Sequence, residues 1–490
     1  MSSLLSEVDE ALAWSAEVAS GHIVERDLAQ ARNRLIEPLR VAIAGRVKAG
    51  KSTLLNALVG DRLARTDASE CTQIVTWFRH GDRYGVVGER SDGVRQELRF
   101  ERADGRLDIH LDGLEPSAFS RIDVSWPSPR LTDVTLIDTP GLESTSVEAG
   151  ERTMRFFAMD EGGPGQADAV IYLMRHLHAS DVRFLDTFLD RSVAQPTPFN
   201  ALGVLSRADE MGAGRPDAMM SATAVARRFE ADPRVRSLCS GVVPVAGLLA
   251  ETGVTLTEDE VAALRAVAGT DPAELEGMIL SVDRFRAPAV SEVSSQLRQR
   301  LLERFGMFGV RFVLQYLKTN PGVSTPDLSK VMVQHSGIAI LSAEFEDRFG
   351  PRAEVLKARS ALATLRNAAD RMARDDAAVA GRIAGRAEAI EVASTELAEL
   401  RLWQLVVTRQ VELSDDEVEE LRRLVSGADP AERLGVDSTA PGAELAARAL
   451  AGVERWRSRA GHPLSDRITQ EVGELVARSY EHLHTRLRYR

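Results

Sequence analysis

Apolar residues follow two rhythms along this chain, and the change between them divides it. Up to about residue 280, short apolar runs are set off by glycines and polar residues: Val41-Ala42-Ile43-Ala44, Ile74-Val75-Thr76-Trp77-Phe78-Arg79, Val134-Thr135-Leu136-Ile137, Asn200-Ala201-Leu202-Gly203-Val204-Leu205 and Val242-Val243-Pro244-Val245-Ala246. Runs of this length predict strands, and Thr53-Leu54-Leu55-Asn56-Ala57-Leu58 predicts a helix between two of them. From about Ile279 onward the apolar positions recur three and four residues apart, as they do on one face of a helix. Met1 to Ala19 carry a similar amphipathic pattern.

The helical part is punctuated. Thr325-Pro326-Asp327 predicts a cap followed by proline at the first helical position, and Ser414-Asp415-Asp416-Glu417 predicts a capping box. Gly350-Pro351 ends one helix after Phe349 and starts the next. Val355, Ala358, Leu362, Leu365, Ala369 and Met372 form a seam that Asp376 breaks before Val379 and Ile383 resume it. This predicts one long helix with a single buried stripe, either opened to water or held in register at Asp376. A last periodic stretch, about 443–488, is expected to return along the bundle beside residues 3–36. The fold class expected is α/β plus all-α. Residues 38–282 would form a head of mixed sheet flanked by helices, inserted between N-terminal helices in 1–37 and an elongated neck and stalk bundle in 283–490.

Chemistry enters at Gly45-Arg46-Val47-Lys48-Ala49-Gly50-Lys51-Ser52-Thr53, which fits G-x-x-x-x-G-K-[ST] between a strand and a helix. The glycines let the backbone curl so that N–H groups face phosphates at the positive end of the new helix. Lys51 would reach the β and γ phosphates, and Ser52 would offer its hydroxyl to Mg²⁺. The strand at Val134 ends in Asp138-Thr139-Pro140-Gly141, a D-x-x-G: Asp138 would hold Mg²⁺ through water and Gly141 would give its N–H to the γ-phosphate. Thr72 stands where a switch threonine would close over Mg²⁺ and the γ-phosphate. The strand at Asn200 ends in Ser206-Arg207-Ala208-Asp209, close to the [NT]-K-x-D of guanine readers. There Asp209 would accept from guanine N1–H and the exocyclic amine, a pairing adenine cannot reproduce. Serine replaces Asn or Thr, and arginine replaces lysine, with an aliphatic stem that can lie over a purine face. Val245 and Ala246 complete the order of a GTPase domain that uses GTP/GDP and Mg²⁺.

The loop and helix from Lys48 to Asp61, with Val59-Gly60-Asp61 at its end, resemble those of the dynamin superfamily. IVTWFRHG from Ile74, SRADEMGAGRPDAMMSA from Ser206, SVDRF from Ser281 and LLERFGMFGVR from Leu301 resemble the isoniazid-inducible branch of bacterial dynamin-like proteins, over most of the chain. The resemblance implies an assembling GTPase with a helical stalk, linked to membrane remodelling and to drug or cell-envelope stress tolerance. Leu142 occupies the place of the glutamine that orients water in small GTPases. Lys48 lies where related large GTPases put an internal arginine finger or a cation-holding serine. Either Lys48 neutralises charge between the β and γ phosphates, an assembly-dependent catalytic role shared with Lys51, Thr72 and Gly141, or it is a solvated loop lysine.

Composition narrows the setting. A chain of 490 residues with a net charge of −12 can bury more than one core and has no general attraction to nucleic acid. Cys71 and Cys239 offer neither a disulfide framework nor metal-ligand spacing, as suits a reducing compartment. Met1 to Ala19 hold Glu7, Asp9, Glu10 and Glu17, which argues against a signal peptide. The apolar stretch Phe305 to Leu317 is too short to span a bilayer. The location expected is cytoplasmic, peripheral to the inner membrane face. Arg298, Arg300 and Arg304 lead into Phe305, Met307, Phe308, Arg311, Phe312 and Tyr316, an order that fits either a headgroup contact through Phe305, Phe308 and Arg311 or a packed helix. The cationic end from Arg478 to Arg490 offers the same choice. Two functions follow: a GTPase whose head-to-head assembly moves a stalk and reshapes membrane, or a GTP-switched scaffold or partner of a sister dynamin-like protein.

Overall fold

The computed structural model describes residues 3–64, 74–103, 106–140, 167–175, 200–236, 239–287, 293–350, 352–407, 410–427 and 429–488. The five expected apolar runs all form strands. The strands are β1 (Leu39–Gly45), β2 (Thr76–His80), β3 (Gly85–Arg90), β4 (Arg95–Glu97), β5 (Phe100–Ala103), β6 (Arg106–Ile109), β7 (Phe119–Trp126), β8 (Val134–Asp138), β9 (Ala169–Met174), β10 (Ala201–Ser206) and β11 (Val242–Val245). Nine of them make one mixed sheet in the order β11-β10-β9-β1-β8-β2-β7-β3-β4, and β5 pairs with β6. At its centre β1 runs parallel to β8 and β9, and every residue of β1, β9 and β10 is buried. Burial on both faces is why these strands carry continuous apolar runs rather than alternation. One face packs on the helix Lys51–Val59 through Leu54 and Leu55, and the other on Ala218–Ala231 through Ala222 and Ala226.

Helices beyond residue 282 also share cores with the head. The helices Ser295–Thr319, Thr325–His335 and Ile338–Phe349 pack on it: Phe305, Phe308, Leu328 and Met332 share a core with Leu249 and Leu264, and Ile338, Leu341 and Phe349 join the core under the sheet. This corrects the membrane contact considered for Phe305, Phe308 and Arg311. Phe305 is 0% and Phe308 5% exposed, and the Arg311 guanidinium donates to the carbonyls of Gly214, Ile279 and Leu280. Arg298 is also buried, donating to Ala287 O. The basic-then-aromatic order is thus that of a helix docked beneath the head.

Beyond Phe349 the helices build two further cores. In the first, Leu5, Val8, Leu12 and Leu28 of the N-terminal helices meet Leu362, Leu365, Ala369, Met372, Ile383 and Ile390. The seam is real but belongs to two helices, Ala353–Met372 and Ala377–Ala393. Asp376 is neither a water-opened stripe position nor a register residue. It caps the second helix, its carboxylate accepting from Ala378 N at 3.1 Å and Val379 N at 2.9 Å. In the second core, Leu402, Trp403, Leu421, Leu424, Trp456, Val476 and Tyr480 pack together. The periodic stretch 443–488 is therefore a pair of helices, Gly442–Ala460 and Arg467–Arg488, whose apolar faces meet each other and not the cluster built on residues 4–35. The capping box at Ser414 and Glu417 is present. The cap expected at Thr325 is one residue earlier: Ser324 Oγ accepts from Asp327 N, and Thr325 opens the helix.

Head and bundle are tied at Asp168, the second described residue of the segment leading into β9. Its carboxylate accepts from Arg40 N at 3.0 Å, from Arg34 at 3.4 Å and from Ser360 Oγ at 2.9 Å. One buried carboxylate thus joins the N-terminal arm, the sheet and the first bundle helix.

Candidate functional site

The loop from β1 to the helix Lys51–Val59 takes a shape its glycines alone permit. Gly45 has φ 151°, and a Cβ there would lie 2.9 Å from Leu173 O on the neighbouring strand. Gly50, at φ 93°, starts the helix without a side-chain cap, so its first N–H groups face outward for a ligand. Between them Lys48 sits at φ 61°, a left-handed conformation for a non-glycine residue, with its side chain exposed. Arg46 and Val47 complete the loop, and Ala49 anchors it in the core.

Lys51 Nζ donates to Gly45 O and Arg46 O, both at 3.1 Å, curled along the rim that phosphates would occupy. Burial lowers its ammonium pKa, and the nearby Asp138 opposes that shift. Ser52 Oγ donates to Asp138 Oδ2 at 2.9 Å, which joins the phosphate loop to the end of β8. Asp138 Oδ1 is buried and has no hydrogen-bond partner among the described residues. Burial pushes this carboxyl up, against Lys51 and Ser52, which pull it down. A buried anion with one unsatisfied oxygen calls for a cation. Thr139 Oγ1 donates to Ile43 O at 2.8 Å, pinning the chain as it leaves β8. Thr72 and Gly141, expected to close over the γ-phosphate, lie outside the described residues, as do Cys71 and Leu142.

The base end is built from β10 and β11, which run parallel with Ser206 opposite Val245. Ser206 Oγ donates to Met174 O, and Ala246 N donates to Ser336 O. Asp209 is 8% exposed, and burial raises its carboxyl to about 6. A ligand that brings donors to such a group favours its charged form.

Arg207 has a role the sequence pattern did not specify. At φ 53° it turns its guanidinium to the phosphate loop, Nη2 donating to Lys48 O at 2.8 Å and Nη1 to Glu210 Oε1 at 2.6 Å. Arg175 holds the other Glu210 oxygen at 2.7 Å. The guanidinium is thus spent on the loop, and only the stem of Arg207 is left for a purine. A basic residue and a carboxylate three apart, Arg207 and Glu210, were the available signal.

The dynamin family profile matches residues 41–199, from β1 through the end of the segment before β10. Isoniazid-induced protein IniC of Mycobacterium tuberculosis is 41% identical over 451 residues, which cover 91% of this chain and 90% of that protein. Isoniazid-induced protein IniA of the same organism is 33% identical over 144 residues, 28% of this chain and 22% of that one. A solved oligomerised bacterial dynamin pair, whose description speaks of long-range sensing and tethering of membranes, covers 99% of this chain and 75% of its own at 12% identity and a TM-score of 0.30. The phosphate loop is continuous with a relationship that spans nearly the whole chain: this protein belongs to the dynamin family, and its head is a guanine-nucleotide-binding GTPase.

Proposed function

We propose that the chain is a mechanochemical GTPase in which GTP binding brings two heads together and hydrolysis moves the helical bundle, remodelling or maintaining the inner face of a bacterial membrane. The observation that carries this reading is the Ser52–Asp138 contact beneath the phosphate loop, with its unsatisfied carboxylate oxygen. Mg²⁺ suits the donors there: Ser52 would hold it directly and Asp138 through water, with the expected switch residue Thr72 as a further ligand, and when bound it would supply charge neutralisation for phosphoryl transfer. Gly45 to Thr53 would cradle the phosphates and Lys51 would bind the β and γ groups. Ser206, Arg207, Asp209, Val245 and Ala246 would hold guanine. Lys48 would act between the β and γ phosphates in the assembled state, aided by Thr72 and Gly141.

The three-way tie at Asp168 supports coupling, because the residues before it, 141–166, include Gly141 of the D-x-x-G. A change there would act on Arg34 and Ser360 together. The head would then extend to about residue 350, with the N-terminal arm and the rest of the chain forming the moving bundle.

A second reading is a GTP-switched scaffold, or a partner of a sister dynamin-like protein, that does not itself remodel lipid. It is favoured by the burial of Phe305 and Phe308, and among the described residues no helix is long and apolar enough to cross a membrane. The likeness to IniA as well as IniC supports such a sister. Co-sedimentation with anionic liposomes in the presence of a GTP analogue separates the two. Binding that is lost on deleting one bundle segment supports remodelling, whereas no binding at any nucleotide state leaves the scaffold.

A further inference from the structure

The helix Ser295–Thr319 is broken once. At Gly306 the backbone takes φ 62° and ψ 173°, a region open in practice only to glycine, and the helix then resumes and runs on to Thr319. A Cβ added at Gly306 would lie 3.4 Å from Leu248 Cδ1 and 3.7 Å from Asp209 Oδ2. Leu248 follows closely on Val245-Ala246, and Asp209 is the carboxylate assigned above to guanine. The break therefore sits between the two segments that frame the base.

Four hydrogen bonds hold it there. Before the break, Thr252 Oγ1 donates to Arg304 O at 2.5 Å. After it, Arg311 Nη1 donates to Gly214 O at 2.7 Å, and its Nε and Nη2 donate to Ile279 O and Leu280 O at 2.8 and 2.9 Å. Gly214 in turn lies against both sides of the contact: a Cβ there would be 3.5 Å from Asp209 O and 3.7 Å from Phe308 N. The base-reading loop and the resumed helix thus meet backbone to backbone, at a turn whose φ of 68° favours glycine.

We propose that Gly306 is a positioning residue for guanine recognition: the backbone break, contributed by a helix outside the 41–199 family match, fixes the orientation of the Asp209 carboxylate. This inference rests on the reading of Asp209 as the guanine acceptor. Guanine offers two parallel donors, N1–H and the exocyclic amine, and both are met only when the two carboxylate oxygens lie in the plane of the base. Hypoxanthine lacks the amine and needs one oxygen. Any side chain at position 306 strains the backbone held at φ 62° and ψ 173°, and relaxing that strain shifts the break against Leu248 and Asp209 and turns the carboxylate, which removes the advantage of guanine over hypoxanthine.

The test is a displacement titration of the full chain with GDP and IDP, which share the diphosphate and differ by the amine. Gly306→Ala is expected to lower the GDP-over-IDP preference at least three-fold. Arg311→Gln, which frees the Gly214 carbonyl but keeps the glycine, is expected to lower it in the same direction. If both nucleotides weaken by one common factor in Gly306→Ala, the residue is merely structural and the proposal is overturned. If Gly306→Ala does not fold, an unchanged preference in Arg311→Gln overturns it instead. Asp209→Asn is run beside them with XDP. A switch toward xanthine with Gly306→Ala behaving as wild type sinks the Gly306 role alone, and no switch toward xanthine sinks the Asp209 reading and the Gly306 role with it.

Discussion

Replacing Asp209 by asparagine should stabilise the nucleotide-free protein while destroying its guanine preference. The carboxyl titrates at about 6 in the folded chain against 3.8 without burial, chiefly because burial disfavours its charge. The sign here is opposite to that of a paired aspartate. Folding raises the pKa, so the folded state holds the proton more tightly, and stability falls as pH rises from about 4 to 6. Above that window the ionised carboxylate costs about 3 kcal/mol. Asparagine removes the charge but leaves an amide with incomplete hydrogen bonding, at a cost of roughly 1–2 kcal/mol, so the net gain at pH 7.5 is about 1–2 kcal/mol. Calorimetry of the nucleotide-free chain, following the transition that GDP shifts, measures it. The gain should vanish near pH 4, where both residues are neutral. An Asn variant that is less stable than wild type at pH 7.5, or whose advantage does not change with pH, refutes the reasoning. The same energetics explain the site: guanine brings two donors that favour the charged form of the buried carboxylate.

Other outcomes follow from the same contacts. GDP affinity of the wild type should drop about five-fold between pH 6 and pH 5, as Asp209 takes up a proton and loses an acceptor, whereas Asp209→Asn should show no such slope. Arg207→Met keeps the stem and removes the bond to Lys48 O; that side chain is 36% exposed, so about 1–1.5 kcal/mol is expected, read as a roughly ten-fold faster release of a fluorescent GDP analogue in stopped flow. Lys48→Gly keeps the left-handed backbone that Lys48→Ala would strain, so GDP binding should survive while assembly-stimulated turnover falls ten-fold or more; unchanged turnover retires the catalytic role of Lys48. Asp376→Ala leaves the N–H groups of Ala378 and Val379 without their cap and should cost about 1 kcal/mol in denaturant midpoint, with nucleotide affinity unchanged.

How much was legible in the sequence depended on the range of the interaction. The buried strands and the phosphate loop are local: apolar runs and glycine positions dictate them, and the structure places each where the pattern predicts. The Asp376 cap was misread because a carboxylate interrupting a seam looks alike whether the helix continues or ends, and the local hydrogen bonds that decide it are not periodic. For Ser295–Thr319 the order of arginines and aromatics fits a packed helix as well as a headgroup contact, and nothing local chooses between them. Arg298 and Arg311 donate to backbone carbonyls of Ala287, Gly214, Ile279 and Leu280, which leave no mark in side-chain chemistry, and Arg304 pairs with Glu260, 44 positions away. At the base site the carboxylate was recognisable from its place after a strand. The turn of Arg207 toward Lys48 was not, because it joins residues 159 positions apart.

The central claim, a GTPase whose turnover is governed by assembly, is tested most directly by GTP hydrolysis per molecule as protein concentration rises, with and without liposomes, using Lys51→Ala as the blank. The account predicts turnover that climbs with concentration and rises again on lipid. Turnover that is flat in concentration and indifferent to lipid contradicts it.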